Sequence, residues 1–450
     1  MESSSKDLRE FKSSIFNYFM NRDKHFLIYN TLYSKLYLLN KEDWDYLRTL
    51  NSSSNRFASQ KLNLFFQHGL VVESDTEEKA LMYHIIRSVI YENRLSVTII
   101  PTEACNFRCT YCFEPHDDNF MTDETEKSIV KFFKRNIHGN KSVQIEWFGG
   151  EPLLQKDRVL RIMRSVQQSC QKSGVPFFAS MVTNGYLLDL DLFEELVDSG
   201  VYYYQITIDG PEIIHNNQRK YVNGGPTFDR VYGNILKIKE GSRHNHFHIV
   251  IRSNLSKPDF DQYKNFIEVV RPIFGNDKRF LFSCEPIYDW GGETVKSLKN
   301  TMFDKRSQLT DQLLQDKNFS SMYMFDSIDS LSSRRCIAGK SHGFMINYDG
   351  NIYKCGMSID NEKFTRLGSI DQNGSMVINE ANNARFLELG KEYDKCNGCC
   401  WLPQCLICNC PLSHARGKDM RCLKDFSGDA YLNETVWNSF LQKKHIDLCN

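Results

Sequence analysis

Three closely spaced cysteines constrain this chain more than any other feature of its sequence. Cys105, Cys109 and Cys112 have the spacing C-x3-C-x2-C and directly follow an apolar run at residues 97–100. Three thiolates can hold a four-iron cluster and leave its fourth iron open. Structural zinc sites usually have paired C-x2-C hooks and four ligands, and disulfides need no such clustering. The spacing therefore favours an iron-sulfur cluster over its alternative, structural zinc.

The composition is that of a globular protein. The 450 residues predict about two to three domains, and an apolar fraction of 41% with 31 Phe and 21 Tyr can form a sizeable core. Lys plus Arg equals Asp plus Glu at 56 each, so no net charge recruits nucleic acid or an anionic membrane. Neither a signal peptide nor a membrane-spanning apolar run is recognisable. We therefore expect a cytoplasmic protein whose 15 cysteines serve metal ligation rather than disulfides.

Residues 1–90 contain no cysteine and predict a small unit of strands and helices. Strands are expected at residues 26–29 and 35–39, and helices at 42–49 and 56–68. This order predicts a winged-helix-like unit. Either the unit packs as a cap on the next domain, or an extended peptide adds a strand to an exposed edge of its sheet.

Strand-like and helix-like segments alternate in residues 91–310, which predicts an α/β fold with a parallel sheet wrapped by helices. Strands are expected at residues 95–100, 143–148, 176–182, 202–208, 247–251 and 280–283. Helices are expected at residues 123–136, 157–172, 189–199, 228–240 and 259–270. Six such units form a partial (β/α)6 barrel, whose chemistry would lie at the carboxyl ends of the strands.

Short polar motifs follow the second, third and fifth predicted strands. Paired glycines let the backbone approach a ligand closely, and a backbone carbonyl or a carboxylate can accept an ammonium group. Each motif alone indicates only a turn, and an arginine there could equally form a surface salt bridge. Their shared place at strand ends makes candidates of Gly149, Gly150 and Glu151 after the second strand and of Thr183 and Asn184 after the third.

The cysteine motif resembles the signature of radical S-adenosylmethionine (SAM) enzymes, down to an aromatic residue, Tyr111, before the third cysteine. The resemblance implies a 4Fe-4S cluster on the three cysteines, with an open iron that chelates the methionine part of SAM. It also implies that residues 149–151 bind the methionine amino group. Thr183 and Asn184 would contact the ribose, and Arg252 would hold the carboxylate with the neighbouring Asn254.

The stretch TIDGPEIIHNNQR, residues 207–219, narrows the resemblance to the subgroup of peptide maturases and sulfatase-maturing enzymes. His215 within it either carries a proton or orders the loop. Cys170 and Cys284 are interpreted as small buried hydrophobic residues rather than ligands.

A second group of cysteines lies in residues 311–450, together with a hairpin predicted between residues 343–348 and 351–354. A zinc ribbon is the alternative for four of these thiols. Their order resembles the SPASM domain, which carries two auxiliary iron-sulfur clusters behind a radical SAM barrel. By that resemblance one cluster is held by Cys396, Cys399, Cys405 and Cys422, and the other by Cys336, Cys355 and Cys410.

The chain departs from the SPASM pattern at one ligand. The family has one cysteine where this chain offers Cys408 and Cys410, and we choose Cys410 because a proline follows it, as in relatives. The cluster that it would join then has three protein thiolates, unless His342 or Cys408 supplies a fourth ligand. An open iron could bind and deprotonate a substrate thiol.

The resemblance implies a maturase that installs a thioether or carbon-carbon crosslink in a ribosomally made precursor peptide. A reductant such as flavodoxin or ferredoxin supplies an electron, SAM yields a 5'-deoxyadenosyl radical, and that radical takes a hydrogen from the peptide. Three 4Fe-4S clusters and SAM are the implied cofactors. The first 90 residues then resemble a leader-peptide recognition element.

Two other functions are open. One is a sulfatase-maturing enzyme, which oxidises Cys or Ser to formylglycine, and the other is a non-catalytic metal-binding scaffold. Sulfatase-maturing relatives carry an Asp after the cysteine that corresponds to Cys355, where this chain has Gly356. A base must lie within reach of the proton it removes, so this difference favours crosslinking.

Overall fold

The computed structural model describes residues 10–50, 60–289, 294–303, 309, 335–356, 365–418, 420, 422–442 and 444–449. Its backbone contacts divide the chain into two compact units. The first comprises residues 1–91, 325–336 and 388–450, and the second comprises residues 92–324 and 337–387. The predicted SPASM segment, residues 311–450, is thus shared between the two units.

The first unit begins with an antiparallel meander followed by helices. Its strands are β1 (Phe11–Ser13), β2 (Asn17–Arg22), β3 (His25–Asn30), β4 (Lys35–Leu39) and β5 (Val71–Glu73), and its helices are α1 (Lys41–Thr49), α2 (Gln60–Gln67) and α3 (Glu78–Ile90). Strands β2, β3 and β4 pair in that order, while β1 pairs with β5. The predicted strands and first helix are confirmed. The second helix is observed from Gln60, and residues 56–59 lie outside the described residues.

The second unit alternates strands and helices, as the periodicity predicts. The strands are β6 (Arg94–Ile99), β7 (Phe107–Cys109), β8 (Ser142–Trp147), β9 (Phe177–Thr183), β10 (Val201–Thr207), β11 (Arg219–Tyr221), β12 (His248–Leu255) and β13 (Phe280–Pro286). The helices are α4 (Asp123–Asn136), α5 (Lys156–Ser173), α6 (Leu190–Asp198), α7 (Glu212–Gln218), α8 (Phe228–Gly241) and α9 (Phe260–Phe274). Local chemistry sets several ends: Thr122 and Asp189 cap α4 and α6, and Gly174 ends α5 with a φ of 64°.

Six parallel strands form the centre of the second unit, in the order β13-β12-β10-β9-β8-β6. Their side chains alternate in burial, as in β8, where Val143, Ile145 and Trp147 are fully buried. The partial (β/α)6 barrel predicted from the sequence is confirmed in its six strands and five helices. The carboxyl ends of these strands share one edge, so the loops that follow them are brought together.

Residues 337–387 extend this sheet. They contain β14 (Gly343–Ile346), β15 (Asn351–Tyr353), β16 (Arg366–Ile370), β17 (Met376–Ile378) and α10 (Glu380–Leu387). Strand β14 pairs in parallel with β6, and β15 to β17 continue as an antiparallel meander. The predicted hairpin is confirmed, with Gly350 at a φ of 82° in its turn.

The last described segment returns to the first unit. It contains α11 (Leu402–Cys408), α12 (Pro411–Ala415), α13 (Leu423–Ser427), α14 (Asp429–Leu441) and β18 (Ile446–Asp447). Strand β18 pairs in parallel with β4 and completes a four-stranded sheet. Among the residues that the structure describes, no helix has the length and hydropathy needed to cross a bilayer.

Candidate functional site

A cavity of about 480 Å³ opens among the loops at the carboxyl ends of the second unit's parallel strands. Most of the residues predicted to bind cluster and SAM line it. They are Cys105, Cys109, Tyr111, Cys112, Gly149, Gly150, Thr183, Asn184, Arg252 and Asn254.

The cysteine loop is fastened from both sides. Cys105 follows β6, and Cys109 ends β7, which pairs antiparallel with β11 so that Arg219 stands opposite Cys109. Burial raises the pKa of the Cys105 and Cys112 thiols to about 12 and raises that of Cys109. None of the three forms a disulfide. Three half-buried thiols on one cavity wall are suited to a cationic partner that removes their protons.

Buried hydrogen-bond donors around the loop fit an anionic iron-sulfur cluster. The backbone N–H of Phe107 donates to Cys105 Sγ at 3.4 Å, and His116 Nε2 lies 3.2 Å from Cys112 Sγ. Asn106 Nδ2 and Arg219 Nε are buried without a hydrogen-bond partner among the described residues. Orphaned donors are costly, so they indicate that a ligand belongs there.

The same part of the chain offers no preformed site for a single ion. No group of three or more His, Cys, Asp or Glu side chains among the described residues has the geometry that holds one metal ion. A 4Fe-4S cluster differs in that each thiolate binds its own iron.

The paired glycines brace the cysteine loop as well as line the cavity. Gly149 has a φ of 112°, and a Cβ at Gly150 would lie 2.3 Å from the carbonyl oxygen of Ala104 and 2.4 Å from that of Glu103. The N–H of Gly150 donates to the carbonyl of Thr102 at 3.2 Å. The absence of side chains thus lets two backbones touch beside the cavity.

The Glu151 carboxylate serves the protein rather than the cavity. It is fully buried, and it accepts hydrogen bonds from the hydroxyl of Thr183 at 2.8 Å and the backbone N–H of Asn184 at 2.8 Å. It also caps the turn at Leu153 N at 3.0 Å. Of the two alternatives for binding an ammonium group, backbone or carboxylate, this geometry favours the backbone.

Tyr111 belongs to a buried polar network that the sequence did not reveal. Its hydroxyl donates to Asp209 Oδ2 and accepts from Arg219 Nη1 at 2.7 Å and from Asn254 Nδ2 at 3.2 Å. Despite burial, the neighbouring negative groups, Cys109 first, raise the pKa of Arg219 well above its usual value. Burial raises the pKa of the Asp209 carboxyl, although the positive charge of Arg219 acts to lower that pKa. A fixed positive charge therefore lies beside the cysteine loop.

The structure also gives the positions of Arg252 and Asn254 and the contacts of His215. Arg252 and Asn254 lie within β12, which continues to Leu255, rather than after the fifth strand as predicted. Arg252 Nε donates to Asn254 Oδ1 at 3.3 Å. His215 is fully buried, accepts from Asp209 N at 3.4 Å and lies 3.1 Å from Thr227 Oγ1, contacts that order the loop.

Four of the C-terminal cysteines converge within the first unit. Burial, followed by the proximity of Cys422, Cys399 and Cys396, raises the pKa of Cys405 to about 12. Cys405 Sγ accepts from the N–H of Leu423 at 3.3 Å, which ties α11 to the start of α13. These are the four thiols that the resemblance assigns to one auxiliary cluster.

The other predicted set is divided between the units. Cys336, Cys408 and Cys410 lie close enough to the buried Arg335 to affect its pKa, which burial lowers. Cys355 belongs to the second unit, where it follows β15. His342 also belongs there, with Nδ1 at 3.5 Å from the carbonyl of Glu92. Their grouping in a second auxiliary cluster stays a prediction.

The chain is similar in sequence to known radical SAM proteins. The family model described as the radical SAM superfamily matches residues 99–267. A cysteine-type anaerobic sulfatase-maturating enzyme of Clostridium perfringens is 27% identical over 339 residues, which are 69% of this chain and 87% of that protein. The radical SAM cyclopropyl synthase TigE of Paramaledivibacter caminithermalis is 28% identical over 230 residues, 46% of each protein.

The fold is similar to that of solved relatives. The structure of native anSMEcpe with bound AdoMet and Kp18Cys peptide covers 78% of this chain and 98% of its own, with a TM-score of 0.55 and 20% identity. That match covers 78% of the chain, and it therefore extends beyond residues 99–267, which the family model matches.

Proposed function

This chain is a radical SAM enzyme, and we propose that it installs a thioether or carbon-carbon crosslink in a ribosomally made peptide. Enzymes of this family use SAM and a 4Fe-4S cluster. A peptide substrate is supported by the similar anSMEcpe structure, which contains a peptide, and by the sulfatase-maturating relative. The relative TigE, a cyclopropyl synthase, supports bond formation as an outcome in such enzymes.

We assign the SAM-cleaving cluster to Cys105, Cys109 and Cys112, whose thiols line the cavity together. When bound and reduced, the cluster supplies the electron that cleaves SAM to methionine and a 5'-deoxyadenosyl radical. The chain's own contribution is electrostatic. Asn106 Nδ2 and Arg219 Nε are buried and have no hydrogen-bond acceptor among the described residues, so they could donate to the anionic cluster.

We assign SAM to the rest of the cavity wall. The backbone of Gly149 and Gly150 would hold the ammonium group, because the nearby Glu151 carboxylate is already occupied. Thr183 and Asn184 would contact the ribose, and their positions are set by that same carboxylate. The carboxylate of SAM would bind Arg252, and Tyr111 would flank the ligand, since both line the cavity.

Two auxiliary 4Fe-4S clusters complete the proposal. Mutual proximity supports one on Cys396, Cys399, Cys405 and Cys422. Cys336, Cys355 and Cys410 are proposed for the other on the cysteine order alone. These clusters would accept an electron as a substrate radical closes a crosslink, and a flavodoxin or ferredoxin would supply the first electron. The chain would then act as a three-part protein with boundaries near residues 90 and 310.

Gly356 is the observation that carries the choice of crosslinking. It follows Cys355, and a Cβ there would lie 3.0 Å from Met345 Sδ. The position at which sulfatase-maturing enzymes carry a carboxylate therefore holds no side chain. Glu114 and Glu285 line the cavity and could accept a proton there. Neither occupies the position at which sulfatase-maturing relatives carry their Asp.

Sulfatase maturation is the second candidate. It is favoured by the relative from Clostridium perfringens, which matches 69% of this chain. In that reaction a Cys or Ser of a partner protein is oxidised to formylglycine, and Glu114 or Glu285 would have to take the proton.

Two experiments distinguish crosslinking from sulfatase maturation. Reduced protein with SAM and a sulfatase-derived peptide with a C-x-P-x-R core is expected to form no aldehyde. Co-expression with short candidate peptides carrying Cys or aromatic acceptors is expected to give a product lighter by two hydrogens, detected by mass spectrometry. The Cys105→Ala variant should yield neither product. Aldehyde formed at the rate of SAM cleavage would overturn crosslinking, and no SAM cleavage at all would leave a metal-binding scaffold.

We also propose that the peptide's leader binds the N-terminal strands and helices by strand addition. The antiparallel meander β2-β3-β4 supports this proposal, because such sheets present edges to extended peptides.

A further inference from the structure

The four-stranded sheet of the first unit gains its last strand from the C-terminal segment. Strand β18 lies parallel to β4, with Ile446 opposite Tyr37 and Asp447 opposite Leu38. The backbone N–H of Leu448 donates to the carbonyl of Leu38 at 2.9 Å. In the order β18-β4-β3-β2, the edge of β4 is therefore covered by the chain itself.

The side chains of this segment alternate as those of a strand do. Leu448 is 7% exposed and joins the core formed by Tyr37, Trp44 and Leu47. Ile446 packs against the same core, while Asp447 between them is exposed. The edge of β4 thus provides backbone pairing together with an apolar groove for every second side chain.

Few residue pairs join this segment to the sheet. Two residue pairs join β18 to β4, compared with five that join β3 to β4. The segment follows α14 through a tight connection, in which the N–H of Lys444 donates to the carbonyl of Ser439 at 3.0 Å. Because water competes for every backbone hydrogen bond, two pairs and one buried leucine are within reach of competition by a longer strand.

An edge strand with such a groove is the usual acceptor for an extended peptide. Main-chain pairing provides affinity in that mode, and pockets for alternate side chains provide selectivity. The segment seated on β4 identifies the chemistry that fits: apolar, polar, apolar.

Resting on the proposed function, we propose that the edge of β4 is the docking site for a substrate peptide with an apolar-x-apolar stretch, and that residues 446–448 occupy it until the peptide displaces them. The segment acts as an internal competitor. The affinity for the peptide then depends on the difference in binding free energy between the peptide and residues 446–448, rather than on the groove alone.

The first test uses a fluorescent synthetic peptide that copies residues 442–449, with serine in place of the cysteine. The Leu448→Ser variant is expected to bind this probe at least tenfold more tightly than the full chain, because its own strand no longer fills the groove. The Asp447→Asn variant is the matched control and should bind like the full chain, because this side chain is exposed and an asparagine oxygen can still accept the hydrogen bond from the N–H of Cys449. A probe with aspartate in place of leucine should bind none of them.

A chain ending at residue 442 provides a second variant, should Leu448→Ser fold poorly. It is expected to bind the probe as tightly as Leu448→Ser, and the probe should slow hydrogen exchange in β4. Equal probe affinity in the full chain, the control and a folded variant would overturn the inference.

The substrate arm uses the precursor peptide found by co-expression. That peptide should compete with the probe, and Leu448→Ser should raise its affinity about tenfold. SAM cleavage by each protein is measured in parallel. Loss of SAM cleavage would count against the proposed function. If SAM cleavage persists but the precursor neither competes with the probe nor binds Leu448→Ser more tightly, the docking site alone is overturned.

Discussion

Arg219 Nη1 donates a hydrogen bond to the hydroxyl of Tyr111 at 2.7 Å, and strand pairing sets Arg219 opposite Cys109. The two partners of the hydrogen bond are separated by 108 residues along the chain. The pairing of β7 with β11 therefore brings a buried cation to the loop that carries the three candidate cluster ligands. We expect it to set the properties of the cluster rather than to hold it.

Arg219→Gln is expected to lower the reduction potential of the SAM-binding cluster. A buried positive charge stabilises the added electron, and its loss should shift the midpoint by about 60 mV or more, since ~1.4 kcal/mol corresponds to 59 mV for one electron. The measurement is an anaerobic redox titration followed by electron paramagnetic resonance. Arg219→Lys should recover part of the shift, and the exposed Arg230→Gln should cause none. An unchanged potential in Arg219→Gln with full iron content would contradict this role.

Replacing Cys105, Cys109 and Cys112 by Ala should remove one cluster and all SAM cleavage. With three 4Fe-4S clusters, anaerobic protein should carry on the order of twelve iron atoms, of which about a third should be lost. Iron and sulfide analysis and deoxyadenosine assays measure both effects. The control is Cys170→Ala, a buried cysteine in α5 away from the cavity lining. Stoichiometric zinc in the C-terminal cysteines, despite ample iron and sulfide, would disprove the auxiliary clusters.

Gly150→Ala should disrupt the cluster site, because the new Cβ would lie 2.3 Å from the backbone oxygen of Ala104. Backbone atoms yield less readily than a flexible side chain, so the cysteine loop itself must move. We expect SAM affinity, measured by equilibrium dialysis, to fall at least tenfold. Gly233→Ala is the matched control, since nothing lies within 4 Å of its Cβ position, and in helix α8 it should stabilise by about 0.4–1 kcal/mol. Equal SAM affinity in both variants would refute the packing argument.

Deleting residues 1–85 is expected to lower iron content as well as peptide binding. The deleted segment packs on the C-terminal cysteine region: Gln404 Nε2 donates to the carbonyl of Thr31 at 2.6 Å, and the Tyr18 and Trp401 rings lie 4.9 Å apart. Iron analysis of the truncated protein checks this. Full iron content in a soluble truncation would show that the C-terminal cysteines fold without it.

A milder variant tests the same contact. Gln404→Leu leaves the Thr31 carbonyl buried without this donor, which should cost about 1–3 kcal/mol of unfolding free energy. Urea denaturation measures the loss, and the exposed Gln372→Leu should be close to neutral. A Gln404→Leu protein as stable as its control would argue against the contact.

Local sequence patterns predicted most of the second unit. Hydrophobic periodicity and capping residues identified its six parallel strands and five helices, with ends within a few residues of those observed. These signals act over a few residues, so they survive without knowledge of the fold. The same patterns missed β2 and α3 of the first unit and the short pair β7 and β11.

For the site, spacing sufficed for the ligands but not for their surroundings. Cys105, Cys109 and Cys112 lie close together in the sequence, so their spacing alone predicted a cluster site. The role of the Glu151 carboxylate depends on Thr183, which is 32 residues away. No local pattern reports whether a carboxylate faces a cavity or the protein.

The sequence by itself determined the radical SAM barrel and the three thiols at its mouth, because alternating strands, helices and clustered ligands are encoded over short distances. Only the tertiary structure decided that Arg219 lies beside Cys109, that the first and last described segments share one unit, and that Leu448 covers the edge of β4. Each depends on pairing between strands far apart in the chain. Such pairing depends on how complementary surfaces compete across the whole fold, so a local pattern does not specify it.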